Sequence, residues 1–114
     1  HFSAKLGDFR SHLSMAPSDY FRRNVGIGAS CVPRADLDLR DVIGQDRIMW
    51  GSDYPHPEGT WPNTAQYFKD TFSDFPEEDG RRILGDNAVA FYGLDRERLQ
   101  QVADEIGPDT SMFH

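Results

Sequence analysis

The sequence has a single cysteine, Cys31, so no intramolecular disulfide can form, and without a CxxC pair there is no zinc knuckle. A chain that does without disulfides fits a reducing, cytoplasmic setting. No uncharged apolar run approaches the length of a membrane span or a signal-peptide core. Bases are scarce: 12 Lys and Arg stand against 19 Asp and Glu, a formal net charge of -7. A surface of that sign repels phosphate backbones and anionic membranes, and no basic cluster offsets it. The expected partners therefore include neither nucleic acid nor membrane. N-x-S/T sequons, internal repeats, low-complexity tracts and Ser/Gly-rich linkers are also missing.

What is present is globular. Hydrophobic residues make up 38% of the 114 positions and charged residues 27%, a balance that argues against wholesale disorder. The length allows one domain or a piece of a larger one. From His1 to Leu13, apolar residues at Phe2, Leu6, Phe9 and Leu13 follow a helical spacing. Pro17-Ser18-Asp19 interrupts it, and Asn24 to Cys31 reads as a short buried strand. Ala35 to Ile43 reads as a helix with Leu37, Leu39, Val42 and Ile43 as its apolar positions, ended by Gly44. Arg47 to Tyr54 is the second strand, apolar until its C-terminal end, the pattern of a parallel strand covered on both faces.

Beyond the proline-rich loop Pro55 to Pro62 the chain turns helical. Asn63 and Thr64 can cap a helix carrying Tyr67, Phe68 and Phe72. Another helix starts at Pro76 with three acids at its positive dipole end and closes at Gly85. Asn87 then caps a short turn ended by Gly93, and a last amphipathic helix runs from Arg96 to Ile106, with Leu99, Val102 and Ile106 on one stripe. Strands alternating with helices predict a parallel α/β architecture, with the strand near Val25 to Ser30 beside the strand near Arg47 to Ser52. Two strands are too few for a covered parallel sheet, and a closed (β/α)8 barrel takes about 250 residues. The expectation is a fragment of a larger α/β domain, and the missing initial methionine points the same way.

Chemistry concentrates in Trp50-Gly51-Ser52-Asp53-Tyr54-Pro55-His56-Pro57-Glu58-Gly59-Thr60-Trp61-Pro62-Asn63. Strict alternation puts Asp53 on one face with Met49 and Gly51, at the C-terminal tip where α/β enzymes place catalytic groups. Asp53 there suits a metal ligand or a proton acceptor, and equally a turn former. His56 suits a ligand, a proton donor, a substrate contact or an exposed loop histidine. Tyr54 and Trp61 suit the wall of a substrate pocket or the packing of a proline-rich loop. Cys31 lacks a strand-borne histidine to activate it as a nucleophile.

The same stretch resembles the eighth-strand region of the amidohydrolase-related metal-dependent enzymes, in their aminocarboxymuconate-semialdehyde decarboxylase-like branch. Ser18-Asp19-Tyr20-Phe21-Arg22-Arg23 resembles the lead-in to that family's seventh strand, and Ile43 to Trp50 the approach to the eighth. Ile83-Leu84-Gly85-Asp86-Asn87-Ala88, with Phe91-Tyr92-Gly93-Leu94, resembles its C-terminal helix. The resemblance implies the last two strands and helices of a distorted (β/α)8 TIM-like barrel. It also implies a divalent metal, commonly zinc, at the strand tips and a small-molecule substrate. Asp53 matches the family's eighth-strand aspartate, which binds the metal or handles the proton of its activated water. The family's other ligands, a His-x-His pair on the first strand and histidines on middle strands, have no match among His1, His12, His56 and His114. The expected whole is a hydrolase or decarboxylase of which this chain is an inactive C-terminal part, completed by the N-terminal barrel portion or another copy. The alternative is a non-catalytic half-barrel remnant that binds itself or a partner.

Overall fold

The computed structural model describes residues 12–114. The helical stripe expected from His1 to Leu13 lies, but for its last two residues, outside the described residues. The elements in order are α1 (Pro17–Asn24), β1 (Ile27–Ser30), α2 (Arg34–Leu37), α3 (Arg40–Ile43), a 3-10 turn (Gln45–Arg47) and β2 (Ile48–Gly51). Then follow α4 (Thr64–Phe72), α5 (Glu77–Arg81), a π-helical turn (Arg82–Asp86), α6 (Asn87–Tyr92), α7 (Arg96–Ile106) and a 3-10 turn (Thr110–Phe113).

The two strands pair in parallel, as the apolar runs and the intervening helical segment predict, with Ile27 opposite Ile48 and Ser30 opposite Gly51. Both are shorter than the sequence suggests. Val25 is not strand: its N–H is taken by the Phe21 carbonyl at 2.9 Å, closing α1, so the ladder begins two residues later. β2 stops at Gly51 because the chain turns at Asp53, whose φ of 59° is incompatible with extended pairing. Among the described residues each strand is paired on one side only.

β2 is the strand inserted into the core. Ile48 and Met49, which point to opposite faces, are both buried, as a strand covered on both sides requires. Ile48 joins Leu37, Phe68, Phe72, Phe75, Ile83 and Phe113 in one cluster. Phe72 stands at its centre, edge-on to Phe75 at 5.5 Å and to Phe113 at 6.2 Å between ring centroids. Full burial of each such side chain stabilises by roughly 1.5–3 kcal/mol, so this cluster is the main source of stability.

The helix expected from Ala35 to Ile43 is instead two single turns, because Leu39 leaves helical geometry at φ −89°, ψ 5°. Of its four apolar positions only Leu37 is buried; Leu39 and Val42 are exposed and Ile43 lies between. The break lets both Arg34 and Arg40 lie over the Phe75 ring, at 4.9 and 4.6 Å. Arg40 also pairs with Asp79 at 2.7 Å, a mostly buried ion pair that ties α3 to α5.

Gly85 does not close a helix. Arg82 and Asp86 keep right-handed helical geometry, so α5, the π turn and α6 form one continuous rod up to Gly93. Gly93 takes the left-handed conformation (φ 64°) that ends it. Asn63 precedes α4 without a side-chain cap; its carbonyl accepts the Tyr67 N–H at 3.0 Å instead. The last helix matches its expected span, with Asp95 capping it by accepting the Arg98 N–H. Past the Gly107-Pro108 stop, the tail folds back and buries Phe113 against Gly80. Nothing in the sequence pattern announced that return.

Candidate functional site

The site grows from the C-terminal end of β2. Two residues past the strand, Asp53 adopts a left-handed backbone, which aspartate tolerates better than most side chains. Its carbonyl accepts the His56 N–H at 2.7 Å, a four-residue turn. The turn-forming reading of Asp53 is thus correct for its backbone, and strict strand alternation does not reach it. Its side chain remains available, 43% exposed, with Oδ2 3.4 Å from His56 Nδ1. His56 Nδ1 also accepts the Glu58 N–H at 3.3 Å.

Backbone bonds lock the rest of the loop. Thr60 N–H donates to the Ser52 carbonyl at 3.0 Å, and Gly59 N–H to the His56 carbonyl at 2.9 Å. A Cβ on Gly59 would lie 2.7 Å from the Ser52 oxygen and 3.0 Å from those of Asp53 and His56, so only glycine closes this loop. Tyr54 and Trp61 meet edge-to-face at 5.7 Å, and each precedes a cis proline, Pro55 and Pro62. Both rings are about two-thirds exposed, 65% and 66%. They face solvent together rather than pinning the loop to the core.

All four residues singled out by sequence, Asp53, Tyr54, His56 and Trp61, therefore lie on one loop at one strand end. Asp53 contacts His56, and Tyr54 contacts Trp61. A groove of about 350 Å³ opens on the neighbouring side, between this loop and α4, lined by Cys31, Gly59, Thr60, Gln66 and Tyr67 among others. Asp53 and His56 do not line it, so the strand tip rather than this groove is the better candidate for chemistry. Cys31 lies just past β1 at φ 51°, with its thiol donating to the Glu58 carbonyl at 3.1 Å. It ties the two strand-end loops together, which is a structural role.

Two residues take roles that the sequence did not suggest. Tyr67 donates its hydroxyl to the Val32 carbonyl at 2.6 Å, and burial pushes that hydroxyl above its ordinary pKa. Asn87 is no helix cap. It is buried, and its Nδ2 donates to the carbonyls of Gln45 at 2.7 Å and Ile48 at 2.8 Å, fixing the entry to the strand that carries Asp53. The π turn just before it places that amide toward β2; such bulges often mark functional positions. A polar residue in an otherwise apolar helical run, Asn87-Ala88-Val89-Ala90-Phe91, was the available signal.

Among the described residues no group of three or more His, Cys, Asp or Glu side chains comes together in a way that could hold a metal ion. Asp53 and His56 offer two donors at most, against about four in a closed zinc site. These residues by themselves do not fit a metal centre.

Residues 13–94 match the family model described as amidohydrolase, well over half of the chain. The chain belongs to the amidohydrolase family, and thus to a superfamily of hydrolase and decarboxylase type. The matched region contains β1, β2, the Asp53 loop and Asn87. A small parallel sheet among helices is consistent with a fragment of such a domain. No solved structure matches the chain. Among the described residues no helix is long and apolar enough to cross a membrane.

Proposed function

We propose that this chain is the C-terminal part of a metal-dependent hydrolase or decarboxylase of the aminocarboxymuconate-semialdehyde decarboxylase-like branch. In this reading β1 and β2 are the seventh and eighth strands of a (β/α)8 barrel. The supporting observation is the position of Asp53: just past the C-terminal end of a parallel strand, half-exposed, 3.4 Å from an imidazole, inside the family-matched region. A carboxylate there serves as one metal ligand or takes a proton from the attacking water. His56, Tyr54 and Trp61 would face a small-molecule substrate from the same loop. A divalent metal, zinc by resemblance, would need its remaining ligands from outside the described residues; such an ion polarises a carbonyl or carboxylate when bound. The other barrel strands, or another copy, would cover the strand edges, and the whole would work in the cytoplasm without nucleic acid or membrane. The strand edges left unpaired among the described residues equally suit the second reading, a half-barrel remnant that binds itself or a partner and does no chemistry.

The test begins with the reading frame upstream of His1, where this reading requires a His-x-His strand. In the complete polypeptide, Asp53→Asn keeps the size and removes the proton-accepting charge. Turnover of amide, ester or carboxylic acid substrates should fall by about 10²-fold or more, mainly in kcat, with metal content retained. Near-normal turnover with normal metal content would leave Asp53 a turn former only. An intact polypeptide inactive on every substrate class favours the remnant.

A further inference from the structure

Four aromatic rings form a continuous row from the C-terminal tail to the strand that leads to Asp53. Phe113 meets Phe72 at 6.2 Å between ring centroids, Phe72 meets Phe68 at 6.1 Å, and Phe68 meets Trp50 at 4.8 Å. Each pair is edge-on, within the range where aromatic rings attract one another. Phe68 and Phe72 are four residues apart on α4 and so share one face of that helix. Trp50 lies in β2, three positions before Asp53. Phe113 comes from residues 95–114, beyond the family-matched region. The far end of the row thus belongs to the tail, and the near end to the strand of the candidate site.

Both ends of the row are fixed. A Cβ on Gly80 would collide with the Phe113 ring, so α5 carries its least helix-favouring residue short of proline where the ring enters. At the other end α4 is joined to both strand-end loops. Tyr67 donates to the Val32 carbonyl at 2.6 Å, and the Thr60 and Thr64 hydroxyls share a hydrogen bond at 3.0 Å. Thr60 N–H in turn donates to the carbonyl of Ser52, the residue before Asp53. Close-packed rings do not absorb a displacement; they pass it on. We propose that Phe113 is a positioning residue for the Asp53 loop: the tail is a strap that seats α4, and α4 seats the loop through Trp50 and Thr60. The proposal concerns where the strand end sits, so it stands or falls separately from the chemistry assigned to Asp53.

The test uses the full chain with Phe113→Leu, which keeps an apolar side chain and removes the ring. Amide hydrogen exchange should quicken by about tenfold or more at Gly59 and Thr60, whose N–H groups close the loop. In a Trp61→Phe background Trp50 is the one remaining tryptophan, and Phe113→Leu should shift its emission to longer wavelength. Gly80→Ala displaces the same ring from the α5 side and should reproduce both changes, so the test does not depend on one variant folding. The control is Leu37→Ala, which empties a fully buried core position outside the row of rings. It should lower the urea midpoint at least as far and leave the Trp50 emission of the folded protein near that of the parent. Gly59 and Thr60 exchange and Trp50 emission unchanged by both Phe113→Leu and Gly80→Ala would overturn the proposal, leaving the tail a source of stability alone. So would a Trp50 shift as large in Leu37→Ala, because any loosening of the core would then move the strand.

Discussion

The side-chain amide of Asn87 donates to the carbonyl oxygen of Ile48 at 2.8 Å, at the first residue of the strand leading to Asp53. The same nitrogen reaches the Gln45 carbonyl at 2.7 Å, so both of its hydrogens serve the 3-10 turn and strand start. Replacing it with Leu leaves two carbonyls without this donor in a buried setting and should cost about 2–3 kcal/mol. Asn87→Asp should cost more at neutral pH, since it turns a carboxylate oxygen toward two carbonyl oxygens. Its deficit should shrink as pH falls, because the protonated acid can donate to one of them. Urea unfolding at neutral and acidic pH reads both effects. An Asp variant as stable as the parent at neutral pH would show that the two bonds contribute nothing.

The second strand was legible because burial on both faces leaves a continuous apolar run, Ile48-Met49-Trp50, whereas the first, expected to be buried, alternates half-buried and exposed residues along its length. The chemistry-bearing loop was legible because Asp53, His56 and two aromatics crowd one short polar stretch. The left-handed turn at Asp53 was not, since aspartate fits a strand tip and a turn equally well in sequence. The rod through Gly85 was misread for a related reason: glycine ends many helices, and only tertiary contacts reveal that this one lies inside a π turn. The split at Leu39 follows from packing too, because Arg34 and Arg40 both reach the Phe75 ring only if the helix breaks. Phe113 left no trace in any period, being one aromatic residue in a polar tail.

That tail makes Gly80 a sharp position. A Cβ there would lie 2.2 Å from Phe113 Cε1, so Gly80→Ala must push the ring out of the core. The expected cost is about 1–3 kcal/mol, despite the helix-favouring character of alanine. Phe113→Ala should cost about 3–5 kcal/mol by emptying the space beside Phe72. In the double variant the costs should be far from additive, because the clash disappears with the ring. Thermal denaturation of the four proteins closes the cycle. Additive costs would mean that the ring does not sit over Gly80.

Gly59→Ala tests the loop rather than the core. The added methyl would meet three backbone oxygens, and backbone cannot swing aside as a flexible side chain can. The loop must open, separating Thr60 N–H from the Ser52 carbonyl and disturbing the Tyr54–Trp61 contact. Near-ultraviolet circular dichroism from those rings should change clearly. Global stability should fall by only about 1–3 kcal/mol, since the core cluster lies elsewhere. An unchanged aromatic spectrum would mean that the loop accommodates a side chain and that Gly59 is not what shapes it.

Tyr67 should give the protein a specific alkaline sensitivity. Its hydroxyl is held above the ordinary tyrosine range chiefly by burial, and its neutral form donates to the Val32 carbonyl at 2.6 Å. A group whose folded pKa is raised contributes its full stability below the unfolded value, about pH 10 for tyrosine, and loses it as pH rises through the folded pKa. At neutral pH, Tyr67→Phe should therefore cost about 1 kcal/mol, the worth of a hydrogen bond whose acceptor is left behind. Above about pH 10 the gap should narrow, because only the parent must then either hold a buried proton or bury a phenolate. Urea midpoints measured from neutral pH upward, alongside tyrosinate absorbance, follow both proteins. If the two curves run parallel throughout, Tyr67 does not titrate differently in the folded state, and its bond to Val32 is not a source of pH-dependent stability.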